Sequence, residues 1–142
     1  MNEETLLKIK RFLVERLDPD FIVLFGSYAT GQEHSKSDVD LAFYNESHEK
    51  SSYDVFFLAQ ELADLIGTDV DLVDLSKAST VFKMQIFAKG WPLYVTDSGQ
   101  FDRYEMLVYR MYADLNEQRK EVLKEIHESG SVYGNRLRCS EE

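Results

Sequence analysis

Phe21 to Phe25 reads FIVLF and runs directly into Gly26 and Ser27; after ten intervening residues Asp38-Val39-Asp40 opens a second apolar run that ends at Tyr44. No other feature constrains the chain as tightly. Five consecutive branched or aromatic residues make a strand buried on both faces, so layers must pack above and below it. The Gly-Ser pair turns the chain at the strand's end, where backbone N–H groups unshielded by a side chain at Gly26, together with the Ser27 hydroxyl, can face phosphate oxygens. On the second strand, alternation sends Asp38 and Asp40 to one face and Val39 to the other. Two carboxylates placed this way can ligate a common pair of divalent ions.

The rest of the chain supplies the layers. Leu6, Ile9, Phe12, Leu13 and Leu17 recur at steps of three and four, which predicts a helix over Glu3 to Leu17 closed by Asp18-Pro19-Asp20. Ala29 to Ser37 is polar, carries Gly31 and reads as a loop. Val55, Leu58, Ala59, Leu62, Leu65 and Ile66 predict a second helix from Ser52 to Ile66, with Gly67 as its C-terminal cap. Asp69 to Leu75 (DVDLVDL) is expected to be a third strand, Ser79 to Lys89 a helix closed by Gly90, and Trp91 to Val95 a fourth strand. From Phe101 to Glu128 a near 3-4 repeat predicts a long amphipathic helix. At 1.5 Å per residue, about 28 residues would run about 42 Å, longer than a domain this size is wide. Part of it should overhang, and Tyr104, Tyr109, Met111 and Tyr112 are expected to form a partner surface there. The stretch from Gly130 to Glu142 lacks periodicity and is expected to fray.

Size and charge narrow the chemistry. With 142 residues the chain is expected to be a single domain, its core spanning about residues 6–95, with the long helix over about 100–128 and a flexible tail over 130–142. Sixteen Lys and Arg stand against 26 Asp and Glu, a formal charge of -10, so the field repels a phosphate backbone and nucleic acid is a poor substrate. Met1 to Arg11 lacks the apolar core of a signal peptide, and no run approaches the roughly 20 residues that span a bilayer. A cytoplasmic protein is expected, and the lone Cys139 suits a reducing compartment.

A Gly-Ser turn alone is commonplace, and so is an Asp-x-Asp at a loop end, where aspartate often bonds a nearby amide. Combined, they describe a site: Gly26 and Ser27 on the outer phosphates of a nucleotide, Asp38 and Asp40 on the metals that bridge those phosphates to the reacting one. A third carboxylate from the neighbouring strand would complete it, and Asp69 and Asp71, which share a face, are both candidates; Asp74 has the wrong parity. His34, Lys36 and Ser37 read as ordinary loop residues, and His48 and His127 as surface positions.

Gly26-Ser27, ten residues and Asp38-Val39-Asp40 match the G-S-x10-D-x-D signature, and the chain resembles the minimal nucleotidyltransferases of the DNA polymerase beta-like superfamily from Leu6 to about Val95. The resemblance implies an α/β (α+β) fold, a small mixed sheet flanked by helices with a long C-terminal helix. It also implies that the third aspartate lies in a V-D-L-V segment, here Val70-Asp71-Leu72-Val73, which favours Asp71 over Asp69. Asp69 to Val81 is similar to the MntA-type antitoxins, which pair with HEPN-type ribonuclease toxins. The implied function is transfer of AMP from ATP, with two magnesium ions, to a tyrosine of such a toxin, by an antitoxin in complex with it. Asp38, Asp40 and Asp71 are then the catalytic and metal-binding residues. Two alternatives are an antitoxin that occludes its partner without catalysis and a transferase acting on a small-molecule hydroxyl.

Overall fold

A computed structural model of the chain describes residues 1–34, 36–47 and 49–129. The elements run α1 (Glu3–Leu17), β1 (Phe21–Phe25), α2 (Ser27–Thr30), β2 (Val39–Tyr44), α3 (Ser52–Ile66), β3 (Val70–Asp74), a 3-10 turn (Leu75–Lys77), α4 (Thr80–Lys89), β4 (Trp91–Val95) and α5 (Ser98–Ser129). The four strands form one mixed sheet in the order β3-β2-β1-β4. β1 is antiparallel to both neighbours, and β2 and β3 are parallel.

The unbroken apolar run of β1 follows from its position. Ile22 and Leu24 join Ile9, Leu13 and Leu17 of α1 and Leu58 and Leu62 of α3 in one core, while Phe21 and Val23 join Ile86, Phe87 and Val108 in a second. The sheet is therefore a middle layer between α1 and α3 on one face and α4 and α5 on the other. Gly90 shows how closely the second face is packed. A Cβ built there would lie 2.5 Å from the Ile86 carbonyl oxygen and 2.7 Å from Val23 Cγ1, so nothing larger than glycine fits between α4 and β1.

Local chemistry sets the helix ends. The Asn2 side chain accepts a 2.8 Å hydrogen bond from the Thr5 N–H at the start of α1, and Ser51 and Ser79 do the same for Asp54 and Phe82 at the starts of α3 and α4. Asp18 ends α1 in the left-handed region at φ 47°, and Gly67 closes α3.

Two expectations need correction. Residues just after β1 are not simply turn and loop, because Ser27–Thr30 closes a single helical turn in which the Ala29 and Thr30 N–H groups bond the Gly26 carbonyl. Four residues are too few to show a period. Tyr104 is not part of an exposed partner surface. Its ring packs edge-on or tilted among Phe21, Tyr44 and Phe87 at centroid distances of 4.6 to 5.7 Å, against the core beneath α5. The overhang begins further on: beyond Val108 no described residue of α5 is buried. His48 and the segment 130–142, Cys139 included, lie outside the described residues. Among the described residues, no helix is long and apolar enough to cross a membrane.

Candidate active site

The polar end of the sheet is built where β1 stops and β2 starts. Gly26 follows Phe25, whose partner across the antiparallel pair is Asp40. Its backbone sits at φ 74° and ψ -157°, a conformation open essentially to glycine alone. A Cβ at this position would lie 2.0 Å from Asp40 Oδ2. Glycine is thus required twice, for the turn and for the close approach of backbone to carboxylate. Ser27 then begins α2; its Ala29 and Thr30 N–H groups bond the Gly26 carbonyl, and those of Ser27 and Tyr28, at the very start of the turn, lie ahead of any intrahelical acceptor.

Asp38 is exposed and lies one residue before β2; Val39 points into the core at 1% exposure; Asp40 is half-buried on the opposite face. The parallel register pairs Asp40 with Asp71 directly. Burial pushes the Asp40 carboxyl up from its ordinary 3.8 to about 6, and the negative charges of Asp71 and then Asp38 push in the same direction. Three carboxylates therefore share one patch, and Asp40 at its centre carries the electrostatic cost.

The three candidates for the third carboxylate stand in different places. Asp69 stands before β3, where its carbonyl accepts the Val39 N–H at 2.9 Å. It lines a polar hollow with Lys36, Asp38 and Asp64 that Asp71 does not reach. Asp74 caps the 3-10 turn, accepting from the Ser76 N–H and hydroxyl. Asp71 is the one in register with Asp40. Among the described residues, no three His, Cys, Asp or Glu side chains converge tightly enough to form a ready-made metal-binding group.

Sequence reasoning passed over two features here. Ser37 is buried, and its hydroxyl accepts the His34 N–H at 2.8 Å, while His34 Nδ1 accepts the Lys36 N–H; these bonds shape the loop that delivers Asp38. A small hydroxyl just before a strand gives no periodic signal. The second is a groove of about 580 Å³ along β3 that reaches Asp71 and is walled by α3 and the start of α4. Its α3 wall includes Phe56, an apolar residue off the core-facing stripe, and that was the available signal.

Comparisons with known proteins identify the family. Residues 7–99 match the family described as polymerase beta, nucleotidyltransferase. Protein adenylyltransferase MntA of Shewanella oneidensis is 31% identical over 136 residues, covering 96% of this chain and 95% of that protein. Among solved structures, a crystal structure of a toxin-antitoxin with AMP-PNP is similar at 32% identity and a TM-score of 0.76, over 86% of this chain and 98% of that one. A structure of the tri-AMPylated Shewanella oneidensis HEPN toxin in complex with MNT antitoxin is similar at 29% identity and a TM-score of 0.73, over 89% of this chain and 99% of that one.

Proposed function

The chain belongs to the polymerase beta nucleotidyltransferase family, and on that premise we propose that it is an antitoxin enzyme that transfers AMP from ATP to a tyrosine of a cognate HEPN-type toxin. The observation that carries this reading is the register that sets Asp71 beside Asp40, with Asp38 adjacent and the Gly26 backbone against the Asp40 carboxylate. Likeness to MntA along nearly the whole chain supports the choice of a protein acceptor.

The donor set suits magnesium. It offers hard carboxylate oxygens only; burial first, and then the charges of Asp71 and Asp38, push Asp40 up to about 6, and a divalent cation would offset both. Asp38 and Asp40 would hold two such ions and Asp71 the one nearer the acceptor. Bound there, magnesium would neutralise charge on the triphosphate as it develops in the transition state. The chain's own groups orient the reactants. Gly26 lets backbone approach the outer phosphates, and the Ser27 hydroxyl and the Ser27 and Tyr28 N–H groups donate to them. The tyrosine oxygen attacks the α-phosphorus in line, forming the new O–P bond as the bond to pyrophosphate breaks. Asp71 helps remove the hydroxyl proton, which passes to solvent.

A variant carrying Asp38→Asn and Asp40→Asn tests the assignment. It should retain the circular dichroism spectrum of the wild type and transfer no label from α-labelled ATP to the toxin. Transfer at the wild-type rate would refute the site.

A further inference from the structure

We infer that the acceptor docks as an extended, tyrosine-bearing segment with basic neighbours, seated along the outer edge of β3 and against an exposed aromatic face of α3. This rests on the transferase reading above and adds to it where the partner engages.

Direction comes first. In the sheet order β3-β2-β1-β4, Asp40 lies on the strand between Gly26 at the end of β1 and Asp71 on the edge strand. With the outer phosphates at Gly26 and Ser27, the leaving pyrophosphate points towards β1. In-line attack requires the nucleophile to arrive from the opposite side, past Asp71 and over the β3 edge. The groove lies there. All five residues of β3 line it, with Phe56 and Ala59 of α3 on one wall and Ala78 and Phe82 on the other. At about 580 Å³ it has room for a phenol ring and its flanking residues, and an edge strand presents an outward row of backbone groups to an extended segment.

The second observation is independent of the groove. α3 buries Val55, Leu58, Ala59 and Leu62, yet Tyr53, Phe56 and Phe57 on the same helix are 69%, 58% and 46% exposed. Their rings touch one another, Tyr53 to Phe57 at 4.6 Å and Phe56 to Phe57 at 6.0 Å between centroids. Three clustered aromatic rings in water mark an interaction surface. Phe56 belongs both to this patch and to the groove, so the patch is continuous with the path to Asp71.

Charge defines the occupant. Asp71 and Asp74 line the groove against one lysine among the described residues, Lys77, whose ammonium donates to the Lys50 carbonyl at 2.9 Å, so the lining carries a net negative charge. Against a chain of net charge -10, a tyrosine flanked by arginine or lysine is the complementary partner.

The test uses the full chain with Tyr53→Ser and Phe56→Ser, both at exposed positions, and measures three quantities: affinity for the cognate HEPN-type toxin, affinity for magnesium-ATP by calorimetry, and KM for the toxin in AMP transfer. The expected result is at least a tenfold loss of toxin affinity with a matching rise in KM, magnesium-ATP affinity unchanged within twofold, and wild-type toxin binding that weakens as salt is raised. Unchanged toxin affinity would overturn the docking surface. A parallel loss of ATP affinity would also overturn it, by giving the groove to the nucleotide base. If the wild type binds the toxin but transfers nothing, the transferase reading fails while the affinity comparison still decides the docking surface.

Discussion

Gly26 and Asp40 form a single device, and each predicts the effect of changing the other. Alanine at position 26 would place a methyl group where Asp40 Oδ2 sits, in a backbone conformation that L-residues avoid. We expect Gly26→Ala to cost about 1–3 kcal/mol of stability and to slow AMP transfer roughly a hundredfold, as read by thermal melts and single-turnover labelling. Asp40 carries a pH signature of known sign. Its carboxyl is raised from 3.8 unfolded to about 6 folded, so the native state binds the extra proton between those values. The resulting stability is complete below pH 4 and is lost as the pH rises through 6. In metal-free protein, Asp40→Asn should therefore raise the melting temperature at pH 8 and have almost no effect at pH 4. A gain that persists at pH 4 would show that its cause is not the carboxylate charge. Magnesium should stabilise the wild type at pH 8 and the variant much less. The same crowding of like charge predicts that ATP binds weakly in the presence of a chelator and tightly with magnesium, measured by calorimetry.

The elements differ in how much of them the sequence discloses. α1, α3 and α5 carry an apolar period over four or more turns, and β1 is an uninterrupted apolar run; each forms where that pattern predicts. α2 is one turn with no period, so only its Gly-Ser entry is visible beforehand. α3 carries apolar residues beyond its core-facing stripe, and the period that identifies Leu58 and Leu62 as core says nothing of Tyr53 and Phe56 on the other side. Likewise, the length of α5 announces an overhang without fixing where support ends, and Tyr104 falls on the supported side. Its hydroxyl is buried with no hydrogen-bond partner among the described residues, and burial pushes it up to about 12. Since an unsatisfied buried polar group costs about 1–3 kcal/mol, Tyr104→Phe should stabilise the protein by about 1 kcal/mol in denaturant melts. In the overhang, Val122 and Leu123 are 54% and 65% exposed, and replacing both with serine should change stability by no more than about 1 kcal/mol, about 0.5 for each.

At the scale of the molecule, a three-layer frame brings together residues on or next to β1, β2 and β3 that are spread over 46 positions of sequence, from Gly26 to Asp71. The spacing of Gly26, Ser27, Asp38 and Asp40 was legible because all four flank one antiparallel pair, β1 and β2, joined by a short connection. Asp71 was less so: residue pattern alone left it level with Asp69, and the pairing of β2 with β3 is a long-range fact that no local pattern encodes. The claim with the widest consequence is that neutralisation is catalytic. The measurement that tests it most directly is incubation of a large molar excess of cognate toxin with a trace of this protein, ATP and magnesium, followed by mass spectrometry of the toxin. A catalyst turns over, so the excess toxin should gain one or more AMP masses on tyrosine and stay inactive after this chain is removed, while the Asp38→Asn, Asp40→Asn variant protects only at stoichiometric amounts. Unmodified toxin, neutralised equally by wild type and variant at a one-to-one ratio, would contradict the account and leave the fold as a binding scaffold.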